Sequence, residues 1–267
     1  MTVLDTDTFA AEWAEWHEQH ERVRADGHGF LAITGLHWLT DQPQRIDGAP
    51  GEWWTGPGGP VVRLAEGESL VVEGRTVTGE HSFGVIPERG GVNAGFGDAV
   101  IEVAKRGGSD VVRPRHPSYP VRVEYPGTPA YPADPRWAVT GRYVPFDEPR
   151  PTTVGAVVEG LQHVYDALGR VEFELDGQPF SLTAFNGPTA AGSLFILFTD
   201  ATSGVTTYAA NRALVVAPPA ADGTVTVDFN RATNLPCAYT EFATCPLPPA
   251  ENRLPIAIGA GEKKPVG

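Results

Sequence analysis

Between Asp228 and Lys263 the chain carries five prolines, at positions 236, 246, 248, 249 and 255. Each fixes φ and removes a backbone donor, so neither a helix nor a central strand can run through this stretch. Just before it, Thr224 to Val227 alternates β-branched residues after an Asp222-Gly223 turn, which predicts a strand ending where the prolines begin. That strand delivers Asp228, Asn230 and Arg231 to a sheet edge or barrel mouth. The tail beyond must be irregular, and irregular backbone held against a core needs side chains that satisfy its polar groups. Asn230, Arg231, Asn234, Asn252 and Arg253 are of that kind. They can be read as pins of a stiff loop, or as a site, because ordered loops on a rigid scaffold carry a large share of binding residues.

Short strands dominate the remainder. From Val61 to Val112 the runs VVRL, SLVVEG, RTVTG, HSFGVI, AVIEVAKRG and DVVRP are separated by turn residues, which predicts a small antiparallel sandwich over 28–113. Residues 114–135 contain seven prolines, so 114–136 is expected to be an ordered linker. From Trp137 onward about seven antiparallel strands are predicted, forming a β-barrel or tight sandwich over 137–267. Asp176-Gly177 is a strong hairpin signal there, and LFILF, apolar on both faces, should be a central strand. One helix is predicted over 8–26 within an N-terminal docking segment 1–27. Phe9, Trp13, Trp16, His20 and Val23 would share its face. The fold class is therefore all-β with one N-terminal helix, in two antiparallel modules.

The chain of 267 residues has 20 basic and 33 acidic side chains and a net charge of −13, which argues against a nucleic-acid or anionic-membrane partner. The start, MTVLDTDTFAAEW, has no basic or apolar signal region, and no window approaches a membrane span, so a soluble, cytoplasmic protein is expected. Cys237 and Cys245 are read first as buried structural thiols, with a disulfide or a redox, metal or nucleophilic role as alternatives. His17 and His20 stand three apart without an evident third ligand. No metal and no cofactor are expected. There is no Gly-x-Ser-x-Gly elbow, no dinucleotide or phosphate-binding glycine loop and no His-Glu-x-x-His, which argues against common hydrolase, nucleotide and zinc-protease chemistries.

The C-terminal half holds a dense series of chemically distinctive residues: Phe198, Asp200, Thr202, Gly204, Thr207, Tyr208 and Arg212. They continue with Asp228 to Asn230, Cys237 to Tyr239, Cys245 to Pro249, and Glu251-Asn252. This series closely resembles the signature of the bacterial family known as domain of unknown function 1684. The likeness is specific over 137–263. It departs from the family pattern at Leu235, where Pro is usual, and at His116, where an acid usually closes an Arg-x-Arg segment. The resemblance implies a fold neighbourhood and no activity.

The candidate ligand-binding residues are Tyr208, Arg212, Asp228, Asn230, Arg231, Glu251 and Asn252, with Asp200 and Glu262 as further scattered groups. Asp200 and Thr202 suit a turn bond. Arg212 and Asp228 are expected on neighbouring strands, as a buried ion pair or lining a pocket. In a pocket Arg212 could clamp a carboxylate, Asp228 or Glu251 could move a proton, and Tyr208 could donate to an oxyanion. The preferred reading is the binding of a small polar organic molecule in a C-terminal β-domain pocket closed by the 228–263 loop. The alternative is a cofactor-independent hydrolase or isomerase using carboxylates of that loop with Tyr208 and Arg212.

Overall fold

A computed structural model describes residues 6–266; the first five residues of the expected docking segment, and Gly267, lie outside the described residues. The chain divides into two compact units. One comprises the residues up to Glu21, Gly127–Ala238 and those from Cys245 onward; the other comprises Arg22–Pro126 and Tyr239–Thr244. The helix as far as Glu21 and part of the expected linker are thus counted with the C-terminal strands.

Helix α1 spans Thr6–Arg24. Phe9 is buried and Trp13, Trp16, His17 and His20 are half-buried, as a 3.6-residue period requires. Val23 departs from the expected face: it is 62% exposed, whereas Arg24 is buried, because the covered stripe drifts by one position over the last turn.

The unit of Arg22–Pro126 holds ten strands. They are β1 His37–Trp38, β2 Gln44–Arg45, β3 Glu52–Gly56, β4 Gly59–Arg63 and β5 Leu70–Val72, then β6 Arg75–Val77, β7 Glu80–Ser82, β8 Gly91–Phe96, β9 Ala99–Arg106 and β10 Ser109–Arg115. They form a six-stranded sheet in the order β1-β10-β9-β8-β5-β6 and a four-stranded sheet in the order β2-β3-β4-β7, and every pairing is antiparallel. Inward residues of both sheets meet in one core that includes Trp53, Val62, Leu70, Ile101, Val103 and Val112. Trp53 is fully buried and its indole N–H donates to Pro50 O at 2.8 Å, which satisfies the ring's one polar group within the core. A single turn of helix, α2 (Pro120–Val123), lies in the Pro-rich stretch.

On β9 of this unit Glu102 is buried among guanidinium groups. Register places Arg113 directly opposite it, and the two form a bidentate pair at 2.9 and 2.7 Å. Arg106 reaches it at 3.0 Å and Arg115, two residues along β10 on the same face, also bonds to it. Burial alone would push the Glu102 carboxyl up, but Arg113 and Arg115 outweigh it and hold the group below the usual carboxylate value.

The other unit carries β11 Ala138–Gly155, β12 Gln162–Leu175, β13 Gln178–Asn186, β14 Leu194–Phe198, β15 Arg212–Val216, β16 Thr224–Asp228 and β17 Thr233–Asn234. These make one antiparallel sheet in the order β16-β11-β12-β13-β14-β15-β17. Its end strands β16 and β17 do not pair, so the barrel alternative is corrected: the described sheet is open. The β12–β13 hairpin turns on Asp176 and Gly177, both at positive φ (51° and 74°), the turn that Asp-Gly favours. LFILF is β14, paired on both sides, and Phe198, Ile196 and Leu194 enter the core with Phe173, Val227 and Phe229. Phe229 is the hub, with Phe173 and Phe198 rings each 5.6 Å away.

Two outcomes are expected. Phe229→Ala should lower unfolding stability by about 3–5 kcal/mol in urea titration, because a fully enclosed ring leaves a cavity. As for pH, a carboxyl depressed in the folded state contributes stability that is present above its unfolded pKa and lost as pH falls through its folded pKa. The melting temperature should therefore drop as pH falls below about 4, and Glu102→Gln should be less stable at neutral pH while losing part of that acid sensitivity.

Candidate functional site

The tail is held by side chains that take over the work of a missing ladder. Arg212, 1% exposed at the start of β15, donates to Asp200 Oδ2 at 2.8 Å. It also donates to three tail carbonyls: Ile258 O at 3.1 Å, Glu262 O at 3.4 Å and Ala260 O. Asp200 in turn accepts from Thr202 N and Thr202 Oγ1, at 2.8 and 2.6 Å, and from Ile258 N at 3.2 Å. The turn bond expected for Asp200 is present. The expected Arg212–Asp228 pair is not: β16 hydrogen-bonds to β11 and not to β15, Asp228 is engaged by Asn230 and Arg231, and the acid that Arg212 meets is Asp200.

The other candidates fall in separate places. Asn252 is fully buried; its amide accepts from Thr183 N and donates to Thr183 O and Leu197 O, at 2.7 to 2.9 Å, which fastens Ala250–Asn252 to β13 and β14. Glu251 is exposed and accepts from Thr183 Oγ1 at 2.9 Å. Asn230 exchanges two 3.0 Å bonds with the Asp134 backbone, and Asp228 Oδ1 accepts from both nitrogens of Asn230. Arg231 lies 3.4 Å from Asp228 Oδ2. Tyr208 donates to Cys237 O at 2.8 Å, and burial, then the neighbouring Cys237, push its phenol well above the usual value, so it stays a donor. Among the described residues, cavities of about 530, 470 and 270 Å³ are lined by residues of 64–79, of 172–181, and by Thr34, Asp47, Gly48, Ala99, Pro114, Arg115 and His116; none contains any of the seven candidates. His28 meets Asp98 O at 2.8 Å, and burial pushes the His37 imidazole below its usual value while Asp47 opposes the shift.

A different set of groups does converge. His17 and Glu21, one helical turn apart on α1, and Glu262 of the tail bring one donor atom each within 4.8 Å of one another. Glu262 is 1% exposed, its Oε2 accepts from Asn234 N at 2.6 Å, and its Oε1 lies 3.8 Å from His20 Nε2. Glu21 Oε2 accepts from Thr128 N at 3.0 Å. Trp13 stacks on His17 at 4.8 Å and donates its indole N–H to Asn230 O at 2.7 Å, while Trp16 stacks on His20 at 5.3 Å. Arg231 lies over Trp16. Gly261 sets the last turn before Glu262: its φ is 72°, and a Cβ there would meet Ala232 O at 2.5 Å. The sequence signal for the helical half was the His17-x-x-x-Glu21 spacing. Glu262 stands more than two hundred residues away, and only folding brings it there.

The profile of a family described as "Protein of unknown function (DUF1684)" matches residues 123–263, more than half of the chain. The span includes every one of the seven candidates and Glu262, but not α1. Among solved structures, the solution NMR structure of an uncharacterized protein of Haloarcula marismortui is 30% identical over 53% of this chain and 78% of that one, with a TM-score of 0.45. No curated protein matches.

Removing one partner of a buried ion pair strands the other. Asp200→Asn and Arg212→Met are each expected to lower stability by about 3–5 kcal/mol in denaturant titration. Asp228→Asn, whose Arg231 partner is exposed, should cost clearly less.

Proposed function

This chain belongs to the DUF1684 family, and we propose that the unit built on its 228–263 tail binds a divalent transition-metal cation through His17, Glu21 and Glu262. The observation that supports this reading is the convergence of an imidazole nitrogen and two carboxylate oxygens, from segments far apart in the chain, within 4.8 Å. A nitrogen and oxygen donor set of this kind suits zinc, manganese, iron(II) or nickel. A cation seated between two approaching carboxylates turns their repulsion into attraction. The surrounding contacts resemble those that orient metal ligands: the backbone N–H groups of Asn234 and Thr128 fix one oxygen each of Glu262 and Glu21, and Trp13 fixes the plane of His17.

Three protein ligands leave coordination positions open. A carboxylate or hydroxyl oxygen of a small polar organic molecule is the occupant this reading assigns to them, so the binding function expected of the tail is carried by the cation instead of by Arg212. The hydrolase or isomerase alternative has less support, because Tyr208 and Arg212, its acid and clamp, already serve backbone carbonyls. No described helix is long and apolar enough to cross a membrane. A bacterial, cytoplasmic setting is part of the same reading, and the net charge of −13 supports its lack of nucleic-acid or anionic-membrane partners.

Isothermal titration of metal-stripped protein with Zn²⁺, Mn²⁺ or Co²⁺ tests the proposal. One cation per chain should bind, and at a hundredfold excess over its dissociation constant it should add about 2.7 kcal/mol of stability. His17→Gln and Glu262→Gln should each weaken binding by more than the roughly 10- to 100-fold typical of losing an outer hydrogen-bond partner, with Asp228→Asn unaffected. Wild-type affinity in Glu262→Gln, or no saturable binding by the wild type, would falsify the reading.

A further inference from the structure

Cys237 and Cys245 form a second group of reactive side chains, apart from the cation cluster. The Cys237 backbone N–H donates to Cys245 Sγ at 3.2 Å, which seats the Cys245 sulfur against Cys237 at the neck of the segment between them. Both backbones are fixed. Cys237 O accepts from Tyr208, in the turn Pro236–Ala238. Cys245 O accepts from Val157 N at 3.0 Å, and the next carbonyl, of Pro246, accepts from Asn211 Nδ2 at 2.6 Å. Cys237 is half-buried, Cys245 is 6% exposed, and no disulfide joins them. A hydrogen bond from the Cys245 thiol draws the Cys237 thiol below its ordinary value, against the opposing effect of burial. A half-buried thiol drawn toward easier ionisation, beside a sheltered second thiol, is the arrangement of an attacking and a resolving cysteine.

We infer that Cys237 and Cys245 are a reversible dithiol–disulfide pair whose oxidant is a low-molecular-weight disulfide of the glutathione class. The Cys237 thiolate attacks one sulfur of the small disulfide; that S–S bond breaks, and the departing thiolate takes up the proton Cys237 released. The thiolate of Cys245 then attacks the Cys237 sulfur of the mixed disulfide and expels the second small thiol, which takes up the proton of Cys245. Two protein thiols are oxidised and one small disulfide is reduced to two thiols. The new bond closes the chain from 237 to 245 into a covalent loop.

The experiment equilibrates the full-length protein with mixtures of reduced and oxidised glutathione, quenches with iodoacetamide, and reads the intact mass and the peptide map. Both alkylation sites should disappear together in one transition, the protein should lose the mass of two hydrogens, and one linked peptide should join Cys237 to Cys245. Cys245→Ser should stop at a single glutathione adduct on Cys237, and Cys237→Ser should remain unmodified while folded. Two alkylatable thiols in wild-type protein at the most oxidising mixture would overturn the inference, as would wild-type protein that accumulates only glutathione adducts or linked dimers. Both of those readings come from the unsubstituted chain, so they hold even if a variant folds poorly.

Discussion

The buried Arg212–Asp200 pair is the interaction on which the rest of the C-terminal unit depends. A tail with five prolines cannot enter a sheet ladder, so its carbonyl groups need donors from elsewhere. A guanidinium is well suited to supply them, since it carries five N–H groups in a fixed plane. Arg212 gives one nitrogen to both Asp200 and Ile258 and the other to Ala260 and Glu262, so a single side chain fastens three carbonyls of the tail to β15. Asp200 balances the charge and holds Ile258 N as well. Because Arg212 grips the Glu262 carbonyl, and Gly261 permits the turn before it, the Glu262 side chain is aimed at α1.

The asparagines extend the same principle with neutral groups. Asn252 and Asn230 each present an acceptor and a donor to one backbone segment, as a neighbouring strand would, and a buried amide with its polar atoms satisfied specifies a position without introducing a charge. The other unit meets the reverse condition. There one carboxylate, Glu102, faces three guanidiniums, and the excess of positive charge is what keeps it ionised despite burial.

Much of the strand pattern was legible. Alternation in GRVEFELDG and GTVTVDFN, and the Asp-Gly turn at 176–177, act over a few residues and need no distant partner. Gly91–Phe96 carries little β signal of its own, with two glycines and an asparagine in six residues, and is a strand because β9 offers it a ladder along its whole length. The helix was legible by its period, but Val23 was placed on the wrong side, since the direction of the covered stripe is set by what it packs on. The tail residues were recognised as a dense polar group, and most proved to bond to backbone within that unit. That Arg212 meets Asp200 and not Asp228 was not legible, because consecutive strands need not be ladder partners: β16 hydrogen-bonds to β11, and β15 to β14 and β17.

By itself the sequence determined an antiparallel β architecture with one helix, because side-chain period and turn chemistry are local properties that survive without knowledge of the fold. It also determined that the stretch from Asp228 to Lys263 is irregular, since proline forbids anything else. Which acid meets Arg212, and that His17 and Glu21 meet Glu262, were decided only in three dimensions. Those contacts join segments separated by a dozen to more than two hundred residues, and their choice rests on sheet order and on where a single guanidinium anchors the tail.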